Sequence, residues 1–395
     1  MMAARVVLHV IDALNVGGAQ ELVLLLARHA PPGQRTVVCV LQPDLAMRER
    51  LAAAGAEVTA LNRARPSILS PLRFLAYFLC GVRDVARLCR RLGAGAVHCH
   101  LGDAEIIGIL AGRLAGVRTT LVTVHNPILF QKRRTGDPRN FLHRASLTIL
   151  YRLAWRVVAV SRQTERVLQR ELGLTPPRLV CIRNGVDVAR LEAAVRSEAL
   201  RRDCGAGPDD FLIINIGRLE DQKRQDVLLA AMAILSRECP RARLCIAGTG
   251  SLEHALARQA KELGVADRVR LLGERSDIPE LLGAADMVAV ASVWEGTSLS
   301  LMESMAAARP IVATDIPGNR ELLDPGQALL VPAGDVRAMA RAMAELAADP
   351  AMGRTLGQAA REKARRVFDI RIVAAAYQAL WDKDARGDPP ACAAG

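Results

Sequence analysis

The sequence predicts an α/β protein of two Rossmann-like domains, each built on a parallel sheet. Three observations predict it. Short apolar runs alternate with longer amphipathic ones, the pattern of a parallel sheet covered on both faces. The alternation begins afresh after Asn184-Gly-Val-Asp187, so the pattern occurs twice. Finally, 51% of the 395 residues are apolar and only 3% aromatic, which gives ample core and favours helix-rich α/β over an all-β fold.

In the first half, VVLHVI (6–11), TVVCVL (36–41), AVHCH (96–100), TTLVTV (119–124), RVVAV (156–160) and RLVCI (178–182) read as buried strands. Helical periodicity fills the gaps, as in AQELVLLLARHA and the stretch from Pro71 to Leu92. The second half supplies FLIINIG (211–217), ARLCIAG (242–248), VRLLG (269–273), MVAVAS (287–292) and PIVAT (310–314). We expect a first domain over 1–187, a second over 188–365, a final helix over 366–384 that packs toward the first domain, and a flexible tail over 385–395. No Ser/Gly linker separates the halves, so the strand C-terminal ends, where such sheets bind ligands, are expected to face one cleft.

Charge is unevenly distributed. The formal net charge is +12, and residues 1–190 carry 27 Lys and Arg against 12 Asp and Glu, so the excess lies entirely in the first half. An anionic membrane, a phosphorylated substrate or a nucleic acid would each suit such a surface, as would a merely Arg-rich composition. From Lys132 to Arg178, basic residues interleave with Phe130, Phe141, Leu142, Ile149, Leu150, Tyr151 and Trp155, which suggests docking on a membrane face. The nine cysteines are scattered, without a C-x-x-C pair, which suggests a reducing cytoplasm and no zinc site. The apolar stretch from Ile68 contains Arg73 and is shorter than the roughly 20 residues a membrane span needs.

Four motifs sit at strand ends. Gly17 and Gly18 lie between the first strand and its helix, where backbone amides can meet an anion, although an ordinary tight turn reads the same way. The motif is not G-x-G-x-x-G, so a nicotinamide fingerprint is absent. In GRLEDQK, Arg218 and Lys223 are spaced to hold a diphosphate, with solvated surface charge as the alternative. In WEGTSLSLMESMA, the amides after Thr297 and Ser298 open a helix, beside an exposed-looking Glu295. Ser300 and Glu303 also fit a capping box, which would make Glu303 structural. His125 in TVHNP is a lone histidine, and His98 and His100 read as structural, because a metal would need a carboxylate at suitable spacing.

Taken together, these motifs resemble the family 4 retaining glycosyltransferases of GT-B fold. The resemblance rests on Glu295 and Glu303 in EGTSLSLMESMA followed by RPIVATDIPG, and on GGAQ, VHCH, TVHN, AVS, RNGVD, GRLEDQK, IAGTGSLE, LGERSDIPELLGAADMVAVAS and RVFDI in that order. It implies a hexosyl transfer from a UDP- or GDP-linked sugar to a glycan or lipid-linked acceptor in cell-surface polysaccharide synthesis. It further implies that Arg218 and Lys223 neutralise the diphosphate without a metal or other cofactor, that Glu303 accepts ribose hydroxyls, and that Glu295 touches the sugar. The amides of Gly296, Thr297, Ser298 and Leu299 would line sugar and phosphate, with Gly17 and Gly18 closing on the diphosphate. Gly273, Glu274 and Arg275 would lie by the base, and His125 by the transferred sugar.

The catalytic set is then His125, Glu295, Arg218 and Lys223, in a cytoplasmic protein peripheral to the inner membrane, with no nucleic-acid partner. Two positions depart from many relatives: Arg224 follows Lys223 where they carry Gly, and Gly-Thr-Ser replaces Gly-Phe-Gly after Glu295. A non-catalytic nucleotide-sugar-binding scaffold, an epimerase and a phosphorylase are the alternatives.

Overall fold

The computed structural model describes residues 5–67, 69–125 and 138–382, the side chains of 138–144 excepted. Two compact units emerge: residues 1–185 together with 370–395, and Val186–Asp369.

In the first unit, seven strands form one parallel sheet: β1 (Arg5–Ile11), β2 (Gln34–Val40), β3 (Glu57–Ala60), β4 (Ala96–His100), β5 (Thr119–Val124), β6 (Arg156–Ala159) and β7 (Leu179–Cys181), in the order β3-β2-β1-β4-β5-β6-β7. Valine- and isoleucine-rich strands suit burial on both faces. Val6, Leu8 and Val10 of β1 enter one core with the Pro71–Leu92 and Gly102–Leu114 helices. Val7 enters another, with the Gly18–Arg28 and Ile370–Trp381 helices. The last helix thus belongs to the first unit. Ile370, Val373, Ala374, Tyr377, Leu380 and Trp381, one face at helical spacing, are all buried there.

The second unit repeats the scheme with β8 (Phe211–Ile216), β9 (Ala242–Ala247), β10 (Val269–Leu271), β11 (Met287–Val290), β12 (Ile311–Thr314) and β13 (Leu329–Val331), ordered β10-β9-β8-β11-β12-β13. In both sheets the order reverses beside the first strand, between β1 and β4 and between β8 and β11. Crevices for ligands open at such switch points.

Several expectations need correction. Two edge strands, β3 (Glu-Val-Thr-Ala) and β13 (Leu-Leu-Val), are absent from the strands expected of the sequence. The second unit runs to Asp369, since a π-helical turn over Ala364–Phe368 precedes the final helix. The basic-aromatic stretch is only partly a surface. Leu150 and Tyr151 are buried in the first core, while Phe130, Lys132, Phe141 and Leu142 lie outside the residues whose side chains are described. Among the described residues no helix is long and apolar enough to cross a membrane.

Candidate functional site

The switch point of the second unit is built by the loops that leave β8 and β11. Lys223 Nζ donates to Glu295 Oε1 at 2.6 Å, and the two side chains are 16% and 6% exposed. Ser292 Oγ donates to the same oxygen at 2.7 Å, and Gln222 Nε2 reaches Glu295 Oε2 at 3.4 Å. The loops are also stitched together by Gln222 Nε2 to the Trp294 carbonyl (2.9 Å) and by the Val293 amide to the Gln222 carbonyl (3.0 Å). Glu295 is therefore a buried, charge-paired group, not the exposed residue its neighbours suggested. One ammonium proton goes to Glu295, which leaves Lys223 two further donors.

Arg218 is exposed and pairs with no carboxylate among the described residues. Its loop packs against the end of β9 so closely that a Cβ on Gly248 (φ +145) would overlap the Gly217 carbonyl. The Gly248 amide donates to the Gly273 carbonyl at 2.7 Å, which brings the β10 end alongside. There Arg275 forks onto Asp277 at 2.8 and 2.5 Å, while Glu274 is exposed. This pairing holds the Asp277 carboxyl below its usual range. On the other side, a Cβ on Gly318 would come within 2.6 Å of the Glu295 carbonyl, so the segment after β12 also closes on the site. Gly273, Glu274 and Arg275 thus belong to the same edge as Gly217 and Arg218.

Beyond Glu295, Gly296 and Thr297 lead to Ser298, the N-cap of the Leu299–Ala306 helix. Ser298 makes no side-chain cap, so the helix opens with amides available to an anion. The capping-box expectation fails: Ser300 lies inside the first turn and bonds Ser298 Oγ at 3.2 Å, and Glu303 is mid-helix and half-buried. Arg224 has φ 49, a left-handed backbone that a glycine would adopt at no steric cost. Its guanidinium forks onto Asp226, with Nε at 2.9 Å from Oδ1.

The first unit has a switch-point site of its own. Asp12, after β1, accepts from the amides of Ala104 (2.7 Å) and Asp103 (3.3 Å) at the start of the Gly102–Leu114 helix. Burial outweighs these bonds and pushes its carboxyl up to about 7. Gly17 and Gly18 begin the Gly18–Arg28 helix nearby in sequence, and Gln20 braces the turn with bonds to the Ala13 carbonyl (3.1 Å) and Asn15 Oδ1 (2.7 Å).

His125, at the end of β5, is not alone. His100 Nδ1 lies 3.3 Å from His125 Nε2, and His100 Nε2 lies 3.1 Å from His9 Nδ1. His98 Nε2 is 2.7 Å from Thr123 Oγ1, itself 3.2 Å from the Tyr377 hydroxyl. Strand pairing explains the cluster: His9 is in register with His98, and His98 and His100, two apart, share a face. The His98-x-His100 spacing signals two of the rings, but no linear motif joins His9 and His125 to them. Burial pushes His9 down to about 3 and His125 to about 4, so the rings are neutral.

Residues 16–190 match the family model described as Glycosyltransferase Family 4, and residues 196–363 the one described as Glycosyl transferases group 1. The chain is 35% identical to EpsD of Bacillus subtilis (strain 168) over 208 residues, 51% of this chain and 55% of that protein. It is 28% identical over 239 residues to the UDP-Gal:alpha-D-GlcNAc-diphosphoundecaprenol alpha-1,3-galactosyltransferase of Escherichia coli, 58% of this chain and 59% of that one. The matches thus span little more than half of each relative. Among solved structures, Anabaena Alr3699/HepE in complex with UDP and glucose superposes with a TM-score of 0.77 at 22% identity, over 94% of this chain and 98% of that one. Matched in tandem by the two models and sharing this two-sheet fold, the chain belongs to the family 4 glycosyltransferases of GT-B fold.

Proposed function

We propose that this protein transfers a sugar, with retention of configuration and without a metal, from a UDP-linked donor to a glycan or lipid-linked acceptor in cell-surface polysaccharide synthesis. The observation that carries the reading is the β8/β11 switch point: a buried Lys223–Glu295 pair, an exposed Arg218 and an uncapped helix start at one edge. Two cations beside free amides suit a departing diphosphate, and stabilising that charge is the largest contribution such a site can make. Glu295 is suited to sugar hydroxyls and Glu303 to the ribose, with Gly273 to Arg275 toward the base. To His125 we assign a contact with the transferred sugar.

A uridine donor is favoured over a guanosine one by two similar proteins, one using UDP-Gal on a diphosphoundecaprenol-linked sugar, another crystallised with UDP and glucose. Such a lipid-borne acceptor would require the protein to reach a membrane. The Pro71–Leu92 helix supports docking. Tyr77, Gly81, Val85 and Leu88 face the core, whereas Leu72, Leu75 and Leu79 are 82%, 56% and 62% exposed and continue into exposed Arg83, Arg87 and Arg90. An apolar stripe that turns basic suits an anionic bilayer surface.

The test is a melting series with UDP, GDP, ADP and NAD, followed by transfer from the stabilising nucleotide's sugars to a diphosphoundecaprenol-linked acceptor in EDTA. At 100 times its dissociation constant a ligand adds about 2.7 kcal/mol, a readily measured shift. Stabilisation by UDP and an α-linked product from an α-linked donor are expected. An inverted product or an EDTA block would overturn retention or metal independence, and UDP binding without any transfer would favour the scaffold.

A further inference from the structure

The histidines behind His125 belong to no role described so far. Three imidazoles run in line: His125 Nε2 lies 3.3 Å from His100 Nδ1, and His100 Nε2 lies 3.1 Å from His9 Nδ1. His9 and His100 are completely buried. A neutral imidazole has one donor and one acceptor, so His100 must donate one of its two bonds and accept the other. The direction of one therefore sets the direction of both.

Only two directions are possible. If the bonds point inward, from His125 toward His9, the final N–H sits on His9 Nε2, which is buried without a partner. If they point outward, His9 Nε2 carries only a lone pair. A buried, unpaired N–H is the rarer and costlier defect. The Trp381 indole ring stands perpendicular to that of His9, with ring centroids 5.5 Å apart, and its own N–H is also buried without a partner. The inward direction would therefore leave two unmet buried donors in this pocket, whereas the outward one leaves only the indole N–H.

We propose that His9 and His100 are positioning residues that hold His125 in its Nδ1–H tautomer, His9 Nδ1–H donating to His100 Nε2 and His100 Nδ1–H donating to His125 Nε2. With Nε2 engaged, the remaining polar atom of His125 is a donor. On the assignment of His125 to the transferred sugar, on which its catalytic meaning rests, the ring offers that sugar a hydrogen bond and does not act as a base. A metal is a poorer occupant of the cluster. His9, His98 and His100 bring ligand atoms within 4.8 Å of one another, but the group holds no carboxylate to offset a buried dication.

The experiment uses the full chain labelled with ¹⁵N-histidine, with His125 assigned by difference from His125→Gln. Long-range ¹H–¹⁵N correlation is expected to show His125 protonated at Nδ1. His100→Leu should release this preference and lower kcat on the order of tenfold, one hydrogen bond's worth, at unchanged donor KM. His100→Gln, whose amide can still donate, should restore both. Protonation at Nε2 in the wild type, an unchanged tautomer in His100→Leu, or a co-purifying transition metal would each overturn the proposal. If His100→Leu fails to fold, the wild-type and His100→Gln spectra decide. Full activity of His125→Ala beside the expected tautomer would instead overturn the catalytic assignment and leave the chain standing.

Discussion

Glu295 and Lys223, proposed for donor binding, also form a buried pair that holds two loops together. A carboxylate that is 6% exposed costs several kcal/mol unless it is paired, and Lys223 is its cationic partner. Lys223→Ala should therefore destabilise the second domain by about 3 kcal/mol as well as abolish turnover, so the single variant confounds two roles. Lys223→Met combined with Glu295→Leu removes both charges and is expected to melt within about 1 kcal/mol of the parent while remaining inactive. Melting and turnover on the same samples check this. A double variant that regained transfer would mean that neither charge serves the donor.

The Pro71–Leu92 helix carries two messages on its two sides. Its buried side is ordinary core, closed at the C-terminus by Gly93 in left-handed conformation. Its outer stripe places three leucines in water, each costing on the order of 1.5–3 kcal/mol relative to burial. Leu72→Ser, Leu75→Ser and Leu79→Ser together should leave melting unchanged or improved and reduce co-sedimentation with phosphatidylglycerol vesicles at least tenfold. Equal binding by the triple variant would refute docking through this face, and a parent that dimerises through it would assign the stripe to a second copy.

The two domains share a topology but not an acid response. In the first, four histidines are depressed by burial, while Asp12 and Glu105 are raised to about 7, also by burial, Glu105 despite accepting from Tyr151 at 2.6 Å. Between about pH 4 and 6.5 the unfolded chain protonates the histidines and the folded one does not, so acid destabilises. The raised carboxyls act oppositely, since the folded state keeps their protons up to about pH 7. Four against two leaves a net loss, at most about 3 kcal/mol per pH unit. The one histidine of the second domain, His254, is exposed. Calorimetry and limited proteolysis at pH 5.5 and 7.5 should therefore show the first domain failing first in acid, and the reverse order would contradict the neutral-histidine cluster.

The sequence by itself determined the parallel α/β class, most strands, and the order of motifs at strand ends, because valine-rich runs and glycine turns act locally, through backbone geometry and burial. It singled out Arg218, Lys223 and Glu295 as candidates without revealing that the last two are a buried pair. Tertiary structure alone decided that pair, which joins loops 72 residues apart, and the union of His9, His98, His100 and His125, whereas the return of the final helix to the first domain was expected from the sequence. The physical reason is common to both. Which side chains meet across a parallel sheet depends on strand order and register, and these are settled by the packing of the whole domain, not by any segment's own pattern.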